Sequence, residues 1–129
     1  MRLLLDSHIL VAIAFKRLPE VSAGADRLLR RPDIEAWVSV ASLWEIAIKT
    51  RLGKLDPGLP LEDLPRYFGA IGFTVLPITA EHALATVEPL PATRDPFDRL
   101  LLAQCSVEGL WLVTLDEALR DHPLAARLV

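Results

Sequence analysis

Four short runs, "RLLLD" (2–6), "EAWVS" (35–39), "FTVLPI" (73–78) and "LWLVT" (110–114), alternate with stretches of helical pattern along the chain. Short runs that are apolar at most positions are what strands become when both faces of a sheet are covered. Strands of that kind alternating with helices predict an α/β fold in three layers. Its central parallel sheet, of about four to five short strands, is flanked by helices. With 129 residues and no repeat, low-complexity tract or linker, the chain reads as a single domain over 1–129.

Between the strands, "SHILVAIAFKR" predicts a helix that stops before Pro19. Residues 20–31 are expected to form one further helix with Val21, Ala25, Leu28 and Leu29 on a common face. "VASLWEIAIKTRL" predicts a helix closed by Gly53 with a Leu43, Ile46, Ala47 stripe. "DPGLP" (56–60) reads as a loop, "LEDLPRYFGAIG" as a helix interrupted near Pro65, and "TAEHALATV" as a helix capped by Thr79. A helix from Pro96 to about Glu108 precedes the last strand, a short one is expected after Asp116, and the terminal "ARLV" is a candidate edge strand.

Composition narrows the setting. Apolar residues make up 52% and the mean hydropathy is +0.34, yet no apolar run reaches the roughly 18 residues of a membrane-spanning helix. The opening "MRLLLDSHIL" is broken by Asp6 and His8 and lacks a small-residue cleavage site, so it is expected to be a strand and not a leader. A cytoplasmic domain with an apolar partner surface, such as a homodimer interface, is expected. Cys105 is the only cysteine, which excludes an internal disulfide and a thiolate zinc site; inside "LLLAQCSV" it reads as a small buried hydrophobe. The formal charge of −3 argues against a protein that coats nucleic acid. It leaves a nuclease open, because setting aside four catalytic carboxylates turns −3 into +1.

"RDPFDRLLLAQ" (94–104) sets two aspartates three apart at the start of a helix. Asp95, Pro96 and Asp98 could be punctuation alone: an N-cap, a proline in the first turn and an acid at the third position. The alternative is that Asp98 binds metal. In a parallel sheet, sites form beyond the carboxyl ends of the strands. Asp6 closes the first strand, Asp116 follows the fourth, Glu45 lies about two turns into the helix after the second, and Asp98 opens the helix leading into the fourth. All four can reach one sheet edge, although each also has a capping or surface reading. Glu45 fits those worst, since it sits in the apolar turn "SLWEIAI". A pairing with Lys49, four residues on, would be worth only about 0.3–0.5 kcal/mol on a helix surface. Clustered carboxylates persist where a cation neutralises them, and oxygen donors without cysteine suit Mg²⁺ or Mn²⁺. Such ions serve phosphoryl chemistry by orienting a water and balancing charge on the phosphate.

Taken together, "LLLDSHIL", "SVASLWEIAIKTRLGKL", "RDPFDRLLLAQ" and "GLWLVTLDEAL", in this order and spacing, resemble the PIN-domain ribonucleases, and within them the VapC toxins of toxin–antitoxin pairs. The resemblance covers nearly the whole chain. It implies a PIN-like three-layer fold and a Mg²⁺-dependent endoribonuclease in which an activated water hydrolyses RNA. It further implies a homodimer neutralised by a cognate antitoxin. The family's acidic quartet maps onto Asp6, Glu45, Asp98 and Asp116. Ser7 stands where threonine is more usual after the first aspartate and keeps the hydroxyl; Thr114 and Asp95 are further candidates for supporting roles.

His8 beside the acids invites the role of general base, but exposure on its helix explains it as well. His82 and His122 have no motif around them. Arg51, Lys54 and Arg99 are equally compatible with contacts to RNA phosphates and with a solvated surface. A phosphoacceptor receiver domain would need an aspartate after the third strand and a late lysine, and neither is present. An Asp-x-Asp phosphatase fails because position 8 is histidine. The remaining rival is a PIN-like fold kept only for binding protein.

Overall fold

A computed structural model of the chain describes residues 1–128. Four strands form one parallel sheet: β1 (Arg2–Leu5), β2 (Glu35–Ser39), β3 (Thr74–Leu76) and β4 (Trp111–Val113), in the order β3-β2-β1-β4. In register, Leu4 of β1 faces Trp37 of β2 and Leu112 of β4, and Val38 of β2 faces Val75 of β3. The chain first builds outward from β1 to β3, then returns to the other side of β1 for β4. Strand order therefore reverses between β1 and β4, which is where an open parallel sheet forms its ligand site.

Burial on both faces explains why the strands lack alternation. Leu3 and Leu5 project into one apolar cluster, with Ile9, Leu10, Leu28, Ile46 and Phe68. Leu4 projects into the other, with Leu101, Leu102, Leu112 and Leu119. Each cluster is closed by helices: α1 (Ser7–Ala14), α2 (Leu18–Val21), α3 (Ala23–Leu29), α4 (Val40–Arg51), α5 (Leu64–Ala70), α6 (Ala80–Leu84) and α7 (Pro96–Glu108). The three layers are those of the expected α/β architecture. Among the described residues, no helix is long and apolar enough to cross a membrane.

Local chemistry corrects several expectations. Residues 20–31 do not form one helix. Ser22 is extended (φ −156°, ψ 104°) and its hydroxyl accepts the Ala25 N–H, so α3 starts there with its own cap. Val21, expected on the buried face, is exposed. Pro65 lies in the first turn of α5, preceded by a 3₁₀ turn at Leu61–Asp63, and so begins a helix where interruption was expected. No helix follows Asp116: its carboxylate accepts the Ala118 N–H, and the chain turns through to Pro123. The edge addition is a single bridge between Ala125 and Leu112, one residue before the expected "ARLV" begins; Val129 of that segment lies outside the described residues.

Candidate active site

Asp6 is the junction of the site. Its backbone N–H donates to Val113 O, which ties the end of β1 to the end of β4. Oδ1 accepts the Ser7 N–H at 2.7 Å, and Oδ2 accepts the Thr114 hydroxyl at 2.6 Å. Each of these neighbours reaches a second acid. Ser7 Oγ donates to Glu45 Oε1 at 2.7 Å, and Thr114 Oγ1 accepts the Asp116 N–H at 3.1 Å. Hydrogen bonds spanning 38 residues (Ser7 to Glu45) and 108 residues (Thr114 to Asp6) thus gather these segments around the Asp6 carboxylate. Burial pushes the Asp6 carboxyl above its ordinary range, with Glu45 adding to the rise, against the lowering by its hydrogen bonds and by His8.

Glu45 is on the buried face of α4 with Ala41, Ser42 and Ile46, only 4% exposed. Its second oxygen, Oε2, meets Lys49 Nζ at 3.0 Å. A surface reading of Glu45 is therefore excluded: a buried carboxylate needs compensation, here a hydroxyl and an ammonium.

At the head of α7 the two aspartates divide their tasks. Asp95 is the N-cap; its Oδ1 accepts the Phe97 N–H at 2.8 Å and, more distantly, that of Asp98. Asp98 does not reach back to the N-cap N–H, which donates to Thr93 Oγ1. It is turned inward, 7% exposed, and accepts the Thr93 hydroxyl at 3.1 Å. Burial, then the charge of Asp95, then those of Asp6 and Asp116, raise its pKa to about 7 against the pull of Thr93. That electrical coupling connects Asp98 to the acids at the ends of β1 and β4.

The donor set fits a hard divalent cation. It is all oxygen; Asp6 and Asp98 are buried carboxylates with no ion-pair partner among the described residues; and an ammonium already stands at Glu45. Among the described residues, no three Asp, Glu, His or Cys side chains converge into a ready-made metal cage. Mg²⁺ does not require one, since it commonly keeps several waters and takes one or two carboxylates.

Other candidates are placed differently. His8 is exposed on α1. Arg51, Lys54 and Arg99 are exposed, Arg99 donating to Thr93 O. Cys105 is buried, its thiol pushed up to about 12, so it is inert packing. His82, which carried no sequence signal, is fully buried at the third position of α6 and completes a capping box with Thr79. The Thr79 N–H donates to Nδ1, which places the ring proton on Nε2, 2.6 Å from Glu108 Oε2. Gln104 Nε2 also faces Nδ1, while its Oε1 accepts the hydroxyl of Ser39, the N-cap of α4. This buried chain links α4, which carries Glu45, to α7, which carries Asp98. A histidine in place of Glu or Gln hid the capping pattern, and Ser39 and Gln104 are 65 residues apart.

Residues 3–123 match the PIN domain family. The chain is 32% identical over 124 residues to Ribonuclease VapC22 of Mycobacterium tuberculosis (strain ATCC 25618 / H37Rv), covering 92% of this chain and 90% of that protein. Among solved structures, it matches a chain in the crystal structure of VapBC2 from Rickettsia felis bound to a DNA fragment from their promoter. The TM-score is 0.61 at 15% identity, with 97% of this chain and 96% of that one covered, a likeness of fold alone.

Proposed function

The chain belongs to the PIN domain family, in its VapC branch, and on that premise we propose that it is a Mg²⁺-dependent endoribonuclease, the cytoplasmic toxin of a toxin–antitoxin pair. We take residues 1–129 as one PIN domain. The observation that carries the reading is the convergence on Asp6: two hydroxyls bind it to Glu45 and to the Asp116 turn at the point where strand order reverses.

In this reading Asp6, Glu45, Asp98 and Asp116 hold Mg²⁺, with Mn²⁺ a suitable substitute. When bound, the ion would act as a Lewis acid, lowering the pKa of a water and balancing charge on the phosphate. Ser7 and Thr114 fix the orientation of the Asp6 carboxylate, which would hold it ready for a cation. Thr93 does the same for Asp98, and Asp95 serves by shaping the start of α7.

The outward face of α4 supports a protein partner. Val40 and Trp44 are exposed there, with Leu52 exposed just past its end, and Trp44 meets Phe97 edge-on with ring centroids 5.5 Å apart. A cognate antitoxin and a second copy of the chain are the partners proposed for such apolar surface.

The test is RNA cleavage by the purified protein. Mg²⁺ should support it, EDTA should reduce it to background, and Mn²⁺ should restore it; the co-expressed product of an adjacent reading frame should suppress it. Undiminished cleavage in chelator would remove the metal reading. No cleavage with any divalent ion would favour the protein-binding rival.

A further inference from the structure

Four acids create a difficulty for a substrate that is itself an anion. Among the described residues, one basic side chain, Lys49, forms an ion pair with any of the four. Its Nζ stands 3.0 Å from Glu45 Oε2, yet the two side chains differ in setting: that of Glu45 is 6% exposed and that of Lys49 is 38% exposed. The ammonium therefore lies on the boundary between the buried acids and solvent. Lysine suits movement between partners: a compact charge with three donors on a flexible four-carbon stem. Surface ion pairing explains little here, because Glu45 need not be buried for a helix to gain an i,i+4 pair.

We propose that Lys49 is a substrate-binding residue, resting on Glu45 in the free protein and turning to a non-bridging phosphate oxygen of the RNA when a divalent ion engages the acids. The proposal rests on the nuclease reading above and adds to it how an anionic strand is admitted to an anionic site. Lys49 and the ion compete for the same carboxylate, while Lys49 and the ion cooperate on the phosphate. No covalent step is assigned to the lysine.

Those two relations give opposite signatures. Lys49→Met keeps the apolar stem and removes the charge. Calorimetric titration of Mn²⁺ into this variant should show affinity about threefold or more above wild type, because a competing cation has gone. The KM for a single-stranded oligoribonucleotide should rise about tenfold or more, and Lys49→Arg should recover most of that loss. A purely structural lysine would lower metal and RNA affinity together, and that result overturns the proposal. So does an unchanged KM in Lys49→Met. Should Lys49→Met fail to fold, Lys49→Gln takes the same two measurements. The underlying reading fails separately: wild type that neither binds Mn²⁺ nor cuts RNA refutes both, whereas an active wild type with an indifferent Lys49→Met refutes the lysine's role alone.

Discussion

Asp98→Asn is expected to abolish RNA cleavage while making the metal-free protein more stable at pH 8. The carboxyl of Asp98 titrates at about 7 in the fold against an ordinary 3.8, chiefly because burial disfavours its charge and secondly because Asp95 repels it. Between those two values the folded chain holds a proton that the unfolded chain has released. Stability contributed by this group is therefore full at low pH and falls as pH rises towards 7. Above 7 the charged carboxylate remains a penalty on the order of 2–4 kcal/mol, since each tenfold loss of acidity is worth about 1.4 kcal/mol and relaxation offsets part of the total. An amide of the same shape removes most of it. Thermal melts in EDTA at pH 5 and pH 8 should show a larger advantage for the variant at pH 8 than at pH 5. With divalent ion present the order should reverse, because the wild type gains binding energy that the variant lacks. Asp95→Ala is the counterpart. It loses a cap worth about 1 kcal/mol and keeps measurable cleavage, part of the loss being offset by relief of Asp98. An Asp98→Asn protein that cuts RNA normally and merely melts earlier would return Asp98 to a structural role.

The largest stability loss is expected far from the acids, at His82. The ring is fully buried and joins the Thr79 N–H, Gln104 and Glu108. His82→Ala leaves those groups without it and opens a cavity, a combination expected to cost about 3–5 kcal/mol. That is a large part of the roughly 5–15 kcal/mol typical of a whole domain. A urea melt should move its midpoint down accordingly, while kcat per folded molecule at low temperature stays within about twofold of wild type. A midpoint near that of the wild type would mean that solvent or a rearranged Gln104 satisfies the site.

The contrast between these two residues shows what the sequence could express. The strands were readable because Leu3, Leu4 and Leu5 are all buried, and a strand covered on both faces writes itself as an unbroken apolar run. The acids could be placed near one edge because strand ends and helix starts have local marks. Glu45 stood out through its apolar neighbours. The helix break at Ser22 was hidden, since the apolar period of residues 20–31 runs through it while one hydroxyl decides the geometry. The turn after Asp116 was hidden likewise, because an aspartate that caps a turn looks the same as one that caps a helix. Contacts between distant segments left no mark at all. The Ser39–Gln104–His82 chain arises from packing of helices that the sequence alone does not bring together.

That Asp6, Glu45, Asp98 and Asp116 serve one metal site is the central claim, and a crystal soaked in Mn²⁺ tests it most directly. The account predicts an anomalous difference peak among the carboxylates of Asp6, Asp98 and Asp116, lost in Asp98→Asn crystals treated the same way. A crystal with manganese bound elsewhere and none at these acids would contradict it.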